Sequence, residues 1–166
     1  KLMRRFDKPE ECGDPSAYLG PLFDDKDYEV HTNAGVQNHM FYLLCTGGEG
    51  VNSLEQDYSV TAMDRTEAEY LAFKTLERHT FKTMNYQDAA AAWINAAMIE
   101  FGEGSPQQKS VIQAWAAVGI GDGDTAIEKI GEQLTRPATM RYNLMGQPQR
   151  EAAGLMVKDG SIVLFQ

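Results

Sequence analysis

Four apolar segments with helical spacing follow one another between residues 33 and 119, and residues that begin or end helices bound them. Within each segment apolar side chains recur three or four residues apart, the period that places them on one face of an α-helix. Asp64, Asn85 and Ser105 are residues that cap helix N-termini, and Gly47, Gly102 and Gly119 follow predicted helix ends. The pattern predicts a mainly α fold of four or five helices, packed as an orthogonal bundle.

The segments around these helices have other patterns. Residues 1–32 contain three prolines and two glycines with little periodicity, so we expect an irregular loop segment with one helical turn near Pro9. A polar loop is expected between the first two helices, and one short helix from Thr125 to Leu134. Three strand candidates follow, the last two joined by an Asp-Gly turn. The predicted organisation is a helical domain over 1–120, a linker with a short helix over 121–140, and a small β appendage over 141–166.

Composition argues against several classes of protein. The chain is 43% apolar, enough for a buried core, and its net charge is −9. The sequence has no cluster of Lys and Arg that would predict a nucleic-acid surface. It also has no run of 18 apolar residues that would predict a transmembrane segment. Cys12 and Cys45 are too few for a disulfide framework or a zinc knuckle. The charged start without an initiating Met indicates a fragment.

His31 is the histidine with the most acidic surroundings. Four carboxylates precede it within seven positions: Asp24, Asp25, Asp27 and Glu29. A carboxylate that accepts from one ring nitrogen leaves the other nitrogen to donate to a developing oxyanion. A helix-capping or surface histidine is the alternative explanation of the same pattern. The sequence contains neither HExxH nor His-x-x-x-His, so it does not predict a self-contained zinc site.

A set of short motifs runs in a fixed order through residues 1 to about 120. They are Arg4 through Pro9, Gly13-Asp14-Pro15, VHTNAGV from Val30, NHMFYLL from Asn38, NYQDA from Asn85 and AWAAVG from Ala114. The ordered set resembles the C-terminal helical domain of the thermolysin-like zinc metallopeptidases, with Ala34 where that family has Ser. No single motif is decisive, but their order over about 115 residues is specific.

The resemblance implies a role in peptide-bond hydrolysis. The family's zinc ligands lie N-terminal of this domain, so the chain would carry the non-metal half of an active site and be inactive alone. His31 would donate to the oxyanion of the tetrahedral intermediate, Arg4 would bind the substrate backbone, and Met3 would line the pocket for the side chain after the cut. Zinc is the cofactor implied for the full-length enzyme, which could also bind calcium, and neither metal is expected in this chain.

The resemblance also implies binding partners, a cellular location and a carboxylate that orients His31. The partners would be a peptide or protein substrate and the N-terminal zinc-binding domain of a secreted or cell-surface protein. In one branch of the family the carboxylate that orients the histidine lies five positions before it, where this chain has Lys26. In another branch it is an Asp two positions before, where this chain has Glu29. We therefore expect Glu29 to orient His31, with Asp27 or Asp25 as second choices.

The C-terminal tail and the function each leave alternatives open. Residues 141–165 resemble the short C-terminal sorting or anchoring modules of secreted Bacteroidetes proteins, although a β extension packed on the helical domain is the alternative. A non-catalytic helical binding or scaffold module is one alternative function. A degenerate peptidase, in which Glu29 cannot orient His31, is the other.

Overall fold

The computed structural model describes residues 4–25 and 29–121, together with the backbone of four short strands between residues 141 and 164. The chain divides into two compact units, Lys1–Glu128 and Lys129–Gln166. In the described part of the first unit the main elements are helical, which confirms the predicted mainly α class. The predicted helix from Thr125 to Leu134 lies outside the described residues.

The first unit begins with an irregular segment and continues with α-helices. A 3₁₀ turn at Pro9–Cys12 is followed by α1 Val30–Asn33, α2 Gly35–Thr46, α3 Arg65–Arg78, α4 Tyr86–Phe101 and α5 Pro106–Ala117. The predicted caps begin the last three helices. Asp64 accepts from the backbone N–H groups of α3, Asn85 forms a reciprocal capping box with Asp88, and Ser105 accepts from the Gln108 backbone.

The core of this unit lies between α2, α4 and α5. Met40 and Leu44 of α2 and Trp115 of α5 are fully buried. Helix α4 contributes mainly small side chains, since six of its eight buried residues are alanines, and this lets α3 and α5 approach its backbone closely. The helical spacing of apolar residues in α3 also predicts Leu76 on the inner face, but Leu76 is 69% exposed. That expectation was wrong because the buried face of α3 centres on Ala68, Leu71 and Thr75.

A β-hairpin lies between α2 and α3, where the sequence predicted only a polar loop. Strand β1, Gly48–Val51, pairs antiparallel with β2, Asp57–Val60, so that Gly48 faces Val60 and Val51 faces Asp57. All four residues of β1 are exposed, and Val60 is the buried residue of β2. The loop prediction was wrong because strands this exposed lack the alternation of apolar and polar residues that marks a half-buried strand.

The second unit contains two further antiparallel pairs. Strand β3, Arg141–Tyr142, pairs with β4, Pro148–Gln149, and β5, Leu155–Lys158, pairs with β6, Ser161–Leu164. The pairing of Lys158 with Ser161 is the register of the hairpin predicted there. The described strands form two pairs, whereas the sequence predicted three strands. Across the described residues, no helix is both long enough and apolar enough to span a membrane.

Candidate active site

His31 lies on a four-residue helix, with its side chain exposed to solvent. Glu29 is the N-cap of this helix, α1, and its Oε1 atom accepts a hydrogen bond of 2.8 Å from the backbone N–H of His31. The carboxylate that the sequence assigned to the imidazole ring is therefore bonded to the backbone of the same residue. Asp25 is exposed, and Asp27 lies outside the described residues. Orientation of the ring by a carboxylate stays a prediction.

Asn33 fixes the end of α1 to the loop that precedes it. Its Oδ1 atom accepts from the Asp24 backbone N–H at 3.0 Å, and its Nδ2 atom donates to the Asp24 carbonyl at 2.8 Å. The side chain is only 6% exposed, so these bonds satisfy polar groups that water reaches poorly. Asn33 thus holds both backbone groups of Asp24 at a fixed position relative to the helical turn that carries His31.

Tyr86, the first residue of α4, also contacts this turn. Its hydroxyl donates to the Asn33 carbonyl at 2.6 Å. The Tyr86 ring packs against Tyr18 and Phe23, with ring centroids 5.6 and 6.1 Å away. Burial raises the pKa of Tyr86 to about 12, so the hydroxyl keeps its proton and remains a donor at neutral pH.

Gly35 permits a close backbone contact beneath the turn. A Cβ atom at Gly35 would lie 2.5 Å from the Pro15 carbonyl oxygen and 2.9 Å from the Asp14 Cβ atom. Both approaches are closer than van der Waals contact allows, so only glycine fits. This contact gives a physical reason why position 35, which faces Asp14 and Pro15, is a glycine.

The structure describes Arg4 but not Met3, which lies outside the described residues. Arg4 is half-buried, and its neighbour Arg5 forms ion pairs with Asp7 and Glu11. The hydrogen bond and charge of Arg5 lower the pKa of Asp7 to about 2. None of the described carboxylates forms such a pair with Arg4. The guanidinium of Arg4 is thus not committed to a carboxylate in the described part of the chain.

Three positioning residues of this site were not recognised in the sequence. Asn33, Gly35 and Tyr86 all lie within quoted motifs, but nothing in those motifs indicated that Tyr86 would bond to a residue 53 positions earlier. Among residues 4–25 and 29–121 there is no group of three or more His, Cys, Asp and Glu side chains that could hold a metal ion. The described residues therefore offer no ligand set for a zinc ion.

Comparison with known proteins gives one family match and several relatives. The family model described as thermolysin metallopeptidase, alpha-helical domain, matches residues 1–120. Bacillolysin of Bacillus caldolyticus is 32% identical over 119 residues, which cover 71% of this chain and 21% of that protein. Neutral protease B of Bacillus subtilis is 30% identical over the same length, with the same coverage. The transglutaminase-activating metalloprotease of Streptomyces mobaraensis is 30% identical over 128 residues, 72% of this chain and 16% of that protein. The chain spans about a fifth or less of the length of these relatives.

Proposed function

Because the chain belongs to the thermolysin metallopeptidase family, of which it contains the α-helical domain, we propose that it forms one wall of the active-site cleft of a secreted zinc-dependent endopeptidase. The substrate is a peptide or protein, and the partner is an N-terminal zinc-binding domain of the same protein. The activity of the whole protein is proposed, not shown, because the chain covers about a fifth of the length of its relatives.

His31 is the residue to which we assign transition-state stabilisation. Attack on a peptide carbonyl places negative charge on its oxygen, and an N–H group that already points there stabilises that charge without reorganising. The observation that supports this role is an exposed imidazole on a turn fixed by Glu29, Asn33 and Tyr86. A four-residue helix has little stability of its own, so these bonds keep the turn, and with it the base of the His31 side chain, in place.

Glu29 has a positioning role in this proposal. By accepting from the His31 N–H it caps α1 and fixes the backbone from which the imidazole projects. We also assign ring orientation to Glu29 first, and to Asp27 or Asp25 otherwise.

Arg4 and Met3 are proposed to contact the substrate. A guanidinium presents several N–H donors in a rigid plane, which suits a backbone carbonyl of the bound peptide. Met3 supplies a flexible apolar side chain for the pocket that receives the residue after the cut. Support for the Arg4 role comes from the contrast with its neighbour, since Arg5 is paired with Asp7 and Glu11 whereas Arg4 forms no ion pair with the described carboxylates.

Zinc belongs to another part of the peptidase in this proposal. When bound, it supplies a Lewis acid and activates water for attack on the carbonyl. The residues that the structure describes offer no ligand set for it, so we assign no zinc ligand and no metal-dependent step to this chain.

Replacement of His31 tests the proposed function. In the peptidase that contains this domain, we expect His31→Ala to lower kcat about 10²–10³-fold, the usual loss when one oxyanion donor is removed. His79→Ala is the matched control, because His79 ends α3 and contacts Asn95 rather than the His31 turn. Its kcat should stay within about twofold of wild type. Wild-type turnover in His31→Ala would contradict the catalytic role and favour the scaffold alternative.

A further inference from the structure

His39 connects the N-terminal segment of the described chain to helix α2. Its Nδ1 atom lies 2.8 Å from the carbonyl oxygen of Phe6, across 33 positions of sequence. The hydrogen bonds of Arg5 with Asp7 and Glu11 in the same segment are local. The contact with His39 therefore adds to the burial of Pro9 a hydrogen bond that fixes the segment to α2, which the local ion pairs do not do.

The chemistry of this contact determines which ring nitrogen carries a proton. A backbone carbonyl can only accept, so the Nδ1 atom of His39 must be the donor. The ring is also held by Tyr42, one turn further along α2, with centroids 6.3 Å apart and planes inclined by 13°. A half-buried ring stacked in this way loses little freedom when it makes the hydrogen bond.

We propose that His39 is a positioning residue for Arg4, because its Nδ1–H group anchors the Phe6 carbonyl two residues further along the chain. Two residues of extended chain span at most about 7 Å, so a fixed carbonyl at Phe6 confines the backbone of Arg4 to a small region. The inference rests on the proposed function, in which Arg4 binds the substrate backbone. His39 itself touches neither substrate nor reacting atoms in this role.

Three substitutions at His39 in the peptidase that contains this domain test the role. His39→Leu removes the donor and should raise KM about three- to tenfold with kcat unchanged, since a substrate contact is loosened in ground and transition states alike. His39→Asn should restore the wild-type KM, because its amide nitrogen is attached at the same position as Nδ1. His39→Gln is the matched control and should resemble His39→Leu, because its amide nitrogen is one bond further out.

Equal KM values for the Leu and Asn variants would overturn the proposal. A lower kcat with an unchanged KM in His39→Leu would also overturn it. A second measurement separates this inference from the proposed function. In ¹⁵N NMR spectra of the 166-residue chain, we expect neutral His39 to carry its proton on Nδ1. A proton on Nε2 would overturn the anchor whatever the peptidase activity. A proton on Nδ1 in a protein without peptidase activity would support the anchor and contradict only the proposed function.

Discussion

Tyr86 joins two parts of the molecule that are 53 residues apart in the chain. Its hydroxyl is the hydrogen-bond donor to the last carbonyl of α1, and its ring belongs to an aromatic cluster with Tyr18 and Phe23. Position and burial make this one hydroxyl a contributor both to folding and to the geometry of the His31 turn.

Tyr86→Phe keeps the aromatic packing and removes the hydroxyl. We expect the free energy of unfolding to fall by about 1–2 kcal/mol, because the Asn33 carbonyl loses its donor in a partly buried place. Denaturant titration of the wild type and the variant measures this difference. An unchanged midpoint would show that the bond contributes nothing to stability.

The same pair of proteins also tests the pKa of Tyr86. The unfolded chain loses the tyrosine proton near pH 10, whereas the folded chain keeps it to about 12. The unfolded state thus binds fewer protons in this window, so the contribution of Tyr86 is fully present below pH 10 and is lost as the pH rises toward 12. The difference between wild type and Tyr86→Phe should shrink over this range. Tyr70, whose pKa the hydrogen bond to Glu100 raises, affects both proteins equally.

At the scale of single residues, the sequence indicated which residues belong to the candidate site better than it indicated which atoms they contact. His31 was singled out because carboxylates precede it and Glu29 because of the family resemblance, and the structure does join them. The bond runs to the backbone of His31, however, because the residue before a helix presents its side chain to the N–H groups of the first turn. The bonds of Asn33 and Tyr86 depend on the tertiary fold, so no local pattern could have indicated them.

Gly35 determines how α2 begins beneath the candidate site. It is the first residue of α2 and packs against the Pro15 carbonyl. A methyl group there would have to displace the backbone of the facing loop, since the nearest atoms belong to Asp14 and Pro15. The position of α2 relative to the loop at residues 13–15 is thus set by the absence of a side chain.

Gly35→Ala should destabilise the fold by more than about 2 kcal/mol, since overpacking against backbone is relieved only by moving an element. Thermal unfolding followed by circular dichroism measures the effect. Gly50→Ala is the matched control, because the atoms nearest to a Cβ atom there belong to the Tyr58 side chain, at 3.2 Å. That variant should unfold within a few degrees of wild type. Equal melting temperatures for the two variants would contradict the role of Gly35.

At the scale of secondary-structure elements, the helices were predictable from the sequence, whereas the β1–β2 hairpin was not. Asp64, Asn85 and Ser105 each cap the helix that they were expected to begin, because capping is a local interaction. Strands β1 and β2 have mostly exposed residues, and Gly48 and Gly50 give β1 no strand propensity. Strand β2 packs against α5, a tertiary contact that the local sequence of these short strands does not indicate.

In the proposed function, the helical unit is one part of a larger enzyme. The chain covers about a fifth of the relatives it matches, and the residues that the structure describes form no metal-binding cluster. At the scale of the whole molecule, the domain would supply donors to a cleft whose zinc is held by another domain.

Metal analysis of the isolated chain tests this division of roles. After dialysis against zinc-free buffer, the 166-residue chain should retain less than about 0.1 zinc per molecule and should not hydrolyse peptides, because structural and catalytic zinc sites need three or four protein ligands. One tightly bound zinc per chain would contradict the assignment of the zinc ligands to another domain.

Oxyanion stabilisation by His31 is the central claim, and its most direct test compares two ligands in one variant. In the peptidase that contains this domain, His31→Ala should weaken binding of a peptide with a tetrahedral phosphonyl group in place of the scissile carbonyl by about 100-fold. The KM of the matching peptide substrate should change by less than about threefold. If His31→Ala weakened the binding of both ligands equally, or of neither ligand, the result would contradict a donor that acts in the transition state.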